Sequence, residues 1–189
     1  GLDDRPSRYL PQNVSLAERV RPTTLRDMAR HVSGLPSMPT NLSVRGQPDP
    51  YEVYTEQDLW TFVSTWQPTR APEEAGQYSN LAFALLGRLL GRRAGMEYEA
   101  LIKERVLTPL GMTSTSITLS PEQQQRLAPG HDRYLRPTGG WEMTAMPASG
   151  SMRSSANDML KLLSAYLGKE RTPLESVIAL ELPHREGVG

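Results

Sequence analysis

The chain has 189 residues and a mass of 21.0 kDa, enough for one well-buried domain or for a single lobe of something larger. Lysine plus arginine and aspartate plus glutamate number 21 each, so no sequence-wide field recruits nucleic acid or an anionic membrane surface. The absence of cysteine excludes disulfides and thiolate metal sites, no apolar run approaches the ~20 residues that span a bilayer, and residues 1 to 10 lack the plan of a signal peptide.

Residues 1 to 22 place short apolar points among turn formers, as in Leu2-Asp3-Asp4-Arg5-Pro6 and Tyr9-Leu10-Pro11, and predict an extended lead-in. Thr24 followed by Asp27 has the form of a capping box, and Leu25, Met28, Ala29 and Val32 line one face of a short helix that Gly34 and Pro36 terminate. From Ser37 to Pro50 the sequence has no period and is rich in proline, which predicts a surface loop. Thr55 with Asp58 repeats the cap, and Leu59, Trp60, Phe62, Val63 and Trp66 make a strongly apolar helix that stops near Pro68. The Trp60, Phe62 and Trp66 cluster is most simply core.

The stretch Gly76 to Leu90 is the most informative. Its second half sets apolar residues at 81, 82, 85, 86, 89 and 90, a wide stripe on one side of a helix. Its first half places Tyr78 two positions from Asn80, with Ser79 or Asn80 available to cap the helix N-terminus. A phenol and an amide held at the mouth of a buried helix are the kind of fixed polar groups an active site requires. The residues also fit a buried tyrosine at a helix start with its hydroxyl bonded to a neighbour, and an asparagine that caps the helix, binds a substrate, or does both.

Gly91 and Gly95 weaken the end of that helix, and a new one from about Glu97 to Val106 turns Tyr98, Leu101, Ile102 and Val106 inward until Pro109 and Gly111 end it. Ser114 to Leu119 alternates with β-branched residues, a candidate short strand or extended edge. Ser120-Pro121 with Gln123 starts another helix. Residues 128 to 150 are punctuated by glycine and proline around His131, Tyr134, Trp141 and Met143, and a long irregular stretch in a compact domain borders a site more often than not. Ser155 with Asp158 opens the last clear helix, with Met159, Leu162, Leu163 and Tyr166 facing the core and Gly168 at its end. The tail has one weak apolar patch, Val177 to Leu182. Five or six helices, little strand and no internal repeat predict a mainly α chain, taken as a single unit over residues 1 to 189.

In order, Tyr9-Leu10-Pro11, Thr24-Leu25-Arg26-Asp27, His31-Val32-Ser33-Gly34-Leu35-Pro36, Tyr78-Ser79-Asn80, Val106-Leu107-Thr108-Pro109-Leu110-Gly111-Met112 and Ser154-Ser155-Ala156-Asn157-Asp158-Met159 resemble the serine β-lactamase-related family. This group holds class C β-lactamases, D-alanyl-D-alanine carboxypeptidases and esterases on the same fold. The resemblance runs from about residue 2 to about residue 168 and implies the helical lobe of an α/β fold, with little or no sheet of its own. It identifies Tyr78 and Asn80 as the family's Tyr-x-Asn element. The tyrosine is implied to move a proton to and from a nucleophilic serine, and the asparagine to hydrogen-bond the substrate's amide side and a catalytic lysine. A tyrosine of ordinary pKa, ~10, is a poor base near neutral pH, so that role depends on nearby ammonium groups.

In the family those come from a Ser-x-x-Lys motif, which also carries the nucleophile, and from a later Lys-Thr-Gly or its variant. The residues three before Lys103, Lys161 and Lys169, the three lysines present, are Ala100, Asp158 and Tyr166, and the residues after them are Glu104, Leu162 and Glu170. Neither motif is therefore in the sequence. The family's order implies a central portion, lacking the N-terminal Ser-x-x-Lys part and the C-terminal Lys-Thr-Gly part.

Other constellations carry less. His31 with Ser33 is read as a structural corner and not as a catalytic pair. His131 and His184 lack partners at ligand spacing, so no metal is expected, and no cofactor is implied. Ser149-Gly150-Ser151 is followed by Met152 and Arg153, which excludes a Gly-x-Ser-x-Gly elbow. Two functions stand side by side. One is a fragment or truncated form of an acyl-serine hydrolase, acting in its complete form on a β-lactam, a D-Ala-D-Ala peptide or an ester. The other is a non-catalytic helical scaffold or binding module that kept the Tyr-x-Asn corner. The resemblance favours a periplasmic or secreted location, and a lobe cut from its sheet is expected to self-associate through an exposed apolar face.

Overall fold

A computed structural model of the chain describes residues 1–18, 21–42, 49–69, 71–72 and 76–181. Pro48, Leu182, His184 and the Gly-Val-Gly end lie outside the described residues. The backbone is mainly helical, with seven α-helices, α1 (Leu25–Ala29), α2 (Glu56–Thr65), α3 (Asn80–Ala94), α4 (Tyr98–Ile102), α5 (Pro121–Gln125), α6 (Ala156–Tyr166) and α7 (Glu175–Glu181), among the described residues. Among the described residues the sheet is one two-stranded antiparallel pair, β1 (Gly130–His131) with β2 (Pro137–Thr138), in which Gly130 faces Thr138. The described part of the lead-in is not simply extended: a 3-10 turn forms at Pro6–Arg8, and turns are closed by Asp4 N–H to the Gly1 carbonyl at 3.1 Å and by Val14 N–H to the Pro11 carbonyl at 3.0 Å. The chain divides into two compact units: Gly1–Tyr98 with Leu127–Ser151, and Glu99–Arg126 with Met152–Gly189.

Local chemistry starts the helices where the sequence places the caps. Thr24 and Thr55 each accept from the backbone N–H three residues on, and Asp27 and Asp58 return the bond to the cap's own N–H. Ser120 and Gln123 do the same for α5. Such a box contributes ~1 kcal/mol to helix stability. At Ser155 only half the device forms. The Ser155 hydroxyl accepts from Asp158 N–H, but the Asp158 carboxylate is committed to Ser114 N–H at 2.7 Å, Thr115 Oγ1 at 2.9 Å and Lys161 Nζ at 2.9 Å.

The core of the first unit is organised on α3. Leu81, Ala82, Ala84, Leu85 and Leu89 are at most 1 % exposed, and they pack with Met28, Leu35, Leu59, Val63 and Met146. Leu90, at the outer edge of the expected stripe, is exposed instead, and the small residues Gly87 and Gly91 are buried. The helix runs through Gly91 to Ala94 and ends on Gly95 at φ 66°, a left-handed position glycine takes without a Cβ penalty. Arg88, its side chain 14 % exposed, donates to the carbonyls of Thr144 and Ala145 and pairs with Glu56 at 3.0 Å. It thereby ties α2 and the 144–149 segment to α3.

In the second unit three expectations change. The helix expected from Glu97 to Val106 is α4 followed by a π turn at Lys103–Leu107, and none of the α4 residues is fully buried. Ser114 to Leu119 forms no strand but one isolated bridge, Ser116 with Arg153. The Glu99 carboxylate takes the N–H groups of Ile117 and Thr118 at 2.7 and 2.8 Å, which removes the donors a ladder would need. On α6, Met159 and Leu163 face outward, 50 and 51 % exposed, together with Leu160 and Leu167. Apolar residues surround most of that helix, and only the narrow side carrying Asp158 and Ala165 is fully buried in the unit.

Candidate active site

Tyr78 and Asn80 flank a serine that does the structural work. Ser79 is fully buried; its hydroxyl donates to the Pro36 carbonyl at 2.7 Å and accepts from Ala82 N–H at 2.9 Å, which makes Ser79 the N-cap of α3. Asn80 is then the first helical residue and not the cap. Its half-buried side chain, unlike that of Ser79, bonds to no described residue. Tyr78, immediately before the cap, is 66 % exposed, and its hydroxyl bonds to no described residue. The buried, bonded tyrosine that the residues also allowed is not what forms.

What holds the corner is the segment from His31 to Ser37. The His31 carbonyl accepts from Gln77 N–H at 2.9 Å and its Nδ1 accepts from Ser79 N–H at 3.1 Å, so the residues on both sides of Tyr78 donate to one histidine. Two residues further on, Leu81 N–H reaches the Ser37 carbonyl at 3.2 Å. The Tyr78 ring lies on the imidazole, centroids 4.5 Å apart, and Phe83 stacks on it at 4.9 Å. His31 itself sits at φ 58°, a left-handed conformation that costs a non-glycine residue of order 1–2 kcal/mol. An amide N–H only donates, so Nδ1 is bare and the ring proton is on Nε2. Burial pushes the imidazole below its ordinary pKa, because the desolvated ring resists a charge. His31 and Ser33 form no catalytic pair: Nδ1 is occupied, and the Ser33 hydroxyl accepts from Leu35 N–H.

The remaining candidates scatter. Lys161 donates to Asp158 and to the Gly111 carbonyl, and Lys103 and Lys169 are exposed. His131 is exposed on β1, and among the described residues no three His, Asp or Glu side chains gather to hold a metal. The end of the proline-rich loop meets the 128–150 stretch. Asp49 accepts from Glu142 N–H at 2.6 Å, and the buried Tyr51 ring contacts Trp141 at 5.4 Å. A cavity of about 650 Å³ lies against Leu2, Tyr9, Leu25, Leu86 and Leu89, with neither Tyr78 nor Asn80 in its lining. Tyr78 is largely exposed and is held from behind by His31. The sequence did not single out His31 or Phe83 as its supports; the only available signal was the His-x-Ser-Gly-Leu-Pro run itself.

Such a corner offers a phenol and an amide, both unspent, on a rigid helix start. It is able to hand on a proton and to hydrogen-bond a carbonyl, given a reacting centre in front of it. The sequence matches the family model described as Beta-lactamase over residues 1–187. It is similar to the D-alanyl-D-alanine-carboxypeptidase/endopeptidase AmpH of Escherichia coli (strain K12), 33% identical over 172 residues, covering 89% of this chain and 43% of the relative. It is also similar to the putative beta-lactamase-like 1 of Homo sapiens, 32% identical, covering 88% of this chain and 34% of the relative. Among solved structures, a beta-lactamase/D-alanine carboxypeptidase from Yersinia pestis complexed with citrate superposes with a TM-score of 0.75 at 28% identity, over 87% of this chain and 46% of that one. A class C beta lactamase from Rhodobacter sphaeroides follows at TM-score 0.74 and 26% identity, over 95% and 48%. The chain thus spans under half the length of each of these proteins.

Proposed function

Because the chain belongs to the beta-lactamase family, we propose that it is the helical region of a serine hydrolase of the class C β-lactamase and D-alanyl-D-alanine peptidase type, with Tyr78 and Asn80 as one wall of the catalytic site. The observation that carries this is the division of labour at the corner. Ser79 takes the cap and the buried hydrogen bonds, while Tyr78 and Asn80 keep their polar groups unengaged by any described residue on either side of it. In the complete enzyme Tyr78, held as its phenolate by neighbouring ammonium groups, accepts the proton of the nucleophilic serine during acylation and, as the phenol so formed, donates it to the leaving group, and Asn80 orients the substrate's amide. The serine and the ammonium groups that make the phenol an effective base come from sequence outside this chain, since none of its three lysines follows a Ser or Thr at the required spacing.

The substrate class rests on the relatives. One is named a D-alanyl-D-alanine carboxypeptidase/endopeptidase and others beta-lactamases, so a D-Ala-D-Ala peptide or a β-lactam is the expected acyl donor. Two measurements test the proposal. The 189-residue chain, incubated with a reporter penicillin and with a fluorophosphonate, is expected to gain no mass, and a stoichiometric adduct on any of its serines refutes an external nucleophile. In a protein extended to carry a Ser-x-x-Lys motif, Tyr78→Phe is expected to slow acylation about 10²–10⁴-fold, the range for loss of a positioned proton carrier. An unchanged rate removes Tyr78 from catalysis.

A further inference from the structure

The three interactions that hold Tyr78 converge on one residue far away in sequence, His31. We infer that His31 is the positioning residue for Tyr78, acting as a neutral clamp that fixes the backbone on both sides of the tyrosine and supports its ring. The inference rests on the proposed role of Tyr78 for its relevance to catalysis, but its geometry stands independently.

The clamp has three parts. The His31 carbonyl takes Gln77 N–H and its Nδ1 takes Ser79 N–H, so the residues on both sides of Tyr78 are tied to one residue. The Tyr78 ring lies against the imidazole with centroids 4.5 Å apart, tilted by 35°. Phe83, one turn into α3, stacks against the same imidazole at 4.9 Å and 28°, so the ring that carries Tyr78 is itself held by the helix. Catalysis depends on such placement, because a displacement of ~1 Å at a reacting group costs ~10²-fold in rate. The left-handed φ of 58° is strain that the surrounding bonds must offset, and it presents the carbonyl and the imidazole of one residue to the same strand of chain. Phenylalanine would keep a ring but lose the acceptor, and asparagine, which tolerates this conformation, would keep an acceptor but lose the ring.

Nitrogen-15 NMR of the 189-residue chain tests the clamp without any variant. The expected spectrum shows Nδ1 unprotonated and Nε2 carrying the proton at neutral pH; a ring protonated on Nδ1 overturns the inference. Amide exchange then separates the parts. In His31→Phe the Ser79 amide is expected to exchange roughly five- to tenfold faster, as for the loss of one net hydrogen bond, with Leu59 and Val63 of α2 unchanged. In His31→Asn the Ser79 amide is expected to recover protection, while carbon-13 relaxation shows a freer Tyr78 ring. Ser79 exchange and Tyr78 ring mobility identical to the parent in both variants refute the clamp. These readouts need no catalysis, so they fail separately from the rate measurement on Tyr78→Phe.

Discussion

Tyr78 is ordered although its ring is largely in water, and the order comes from a histidine whose Nδ1 accepts from a backbone amide 48 residues on. The burial of that histidine fixes a sign for pH dependence. Burial lowers the His31 pKa in the folded chain, so the unfolded chain binds the proton first as pH falls. Stability is full above the unfolded value of ~6.5 and declines as pH drops from there through the folded value. Asp158 moves the other way in charge but the same way in acid. Burial pushes its carboxyl up, yet the bonds from Lys161, Thr115 and Ser114 N–H outweigh that and leave it below 3.8. Its stabilisation is present above the unfolded value and is lost as pH falls through the folded one. Denaturation midpoints are expected to fall in two steps on acidification, the first starting near about pH 6.5. His31→Asn is expected to flatten the first step and leave the second; equal slopes for parent and variant between about pH 7 and pH 5 would count against it. None of this was legible locally. His31 and Tyr78 were each visible in the sequence, but a contact between distant segments leaves no periodic trace.

Helix starts were the most legible feature because a cap is an i to i+3 interaction written in adjacent letters. Thr24, Thr55 and Ser120 form the boxes that their sequences announce. The stripe of α3 was legible for the same reason of period, but its small residues were not. Gly87 reads as a weak point in a helix, and in the fold it is a contact. A Cβ there would stand 2.4 Å from the Cβ of Ala148 and 3.2 Å from the Tyr98 ring. Gly87→Ala would gain ~1 kcal/mol of helix propensity, while overpacking against a fixed turn costs ~1–3 kcal/mol, so the clash is expected to win. Urea denaturation should show Gly87→Ala destabilised, and Ala148→Gly in the same background should recover stability by relieving the clash. A stabilised single variant would mean that the Pro147–Ser149 turn yields freely. At α6 the period was right and the inference from it too broad, since an apolar face is buried only where another element covers it.

At the scale of the molecule, the chain forms two compact units and leaves apolar surface uncovered. In the second unit Met159, Leu160 and Leu163 of α6, Leu167 at its C-terminal cap, and Val177 and Leu180 of α7 are all at least 50 % exposed. Isolated exposed leucines are ordinary; a contiguous row along one helix marks a surface that associates. Sedimentation equilibrium is expected to show weight-average mass rising with concentration, and Leu160→Glu with Leu163→Glu to suppress the rise while moving the denaturation midpoint little, because exposed positions contribute within about ±0.5 kcal/mol. A parent that remains monomeric at high concentration would rule this out.

By itself, the sequence determined the helical character, the caps, the apolar face of α3, the family and the absence of any Ser-x-x-Lys or Lys-Thr-Gly run, all of which are written in short-range spacing or in composition. Only the tertiary structure decided that Ser79 and not Asn80 caps α3, that Glu99 consumes the donors of an expected strand, that half of α6 faces water, and that His31 holds Tyr78. Each of these depends on which distant groups compete for the same hydrogen-bond donor or the same surface. That competition is resolved only when the chain is packed.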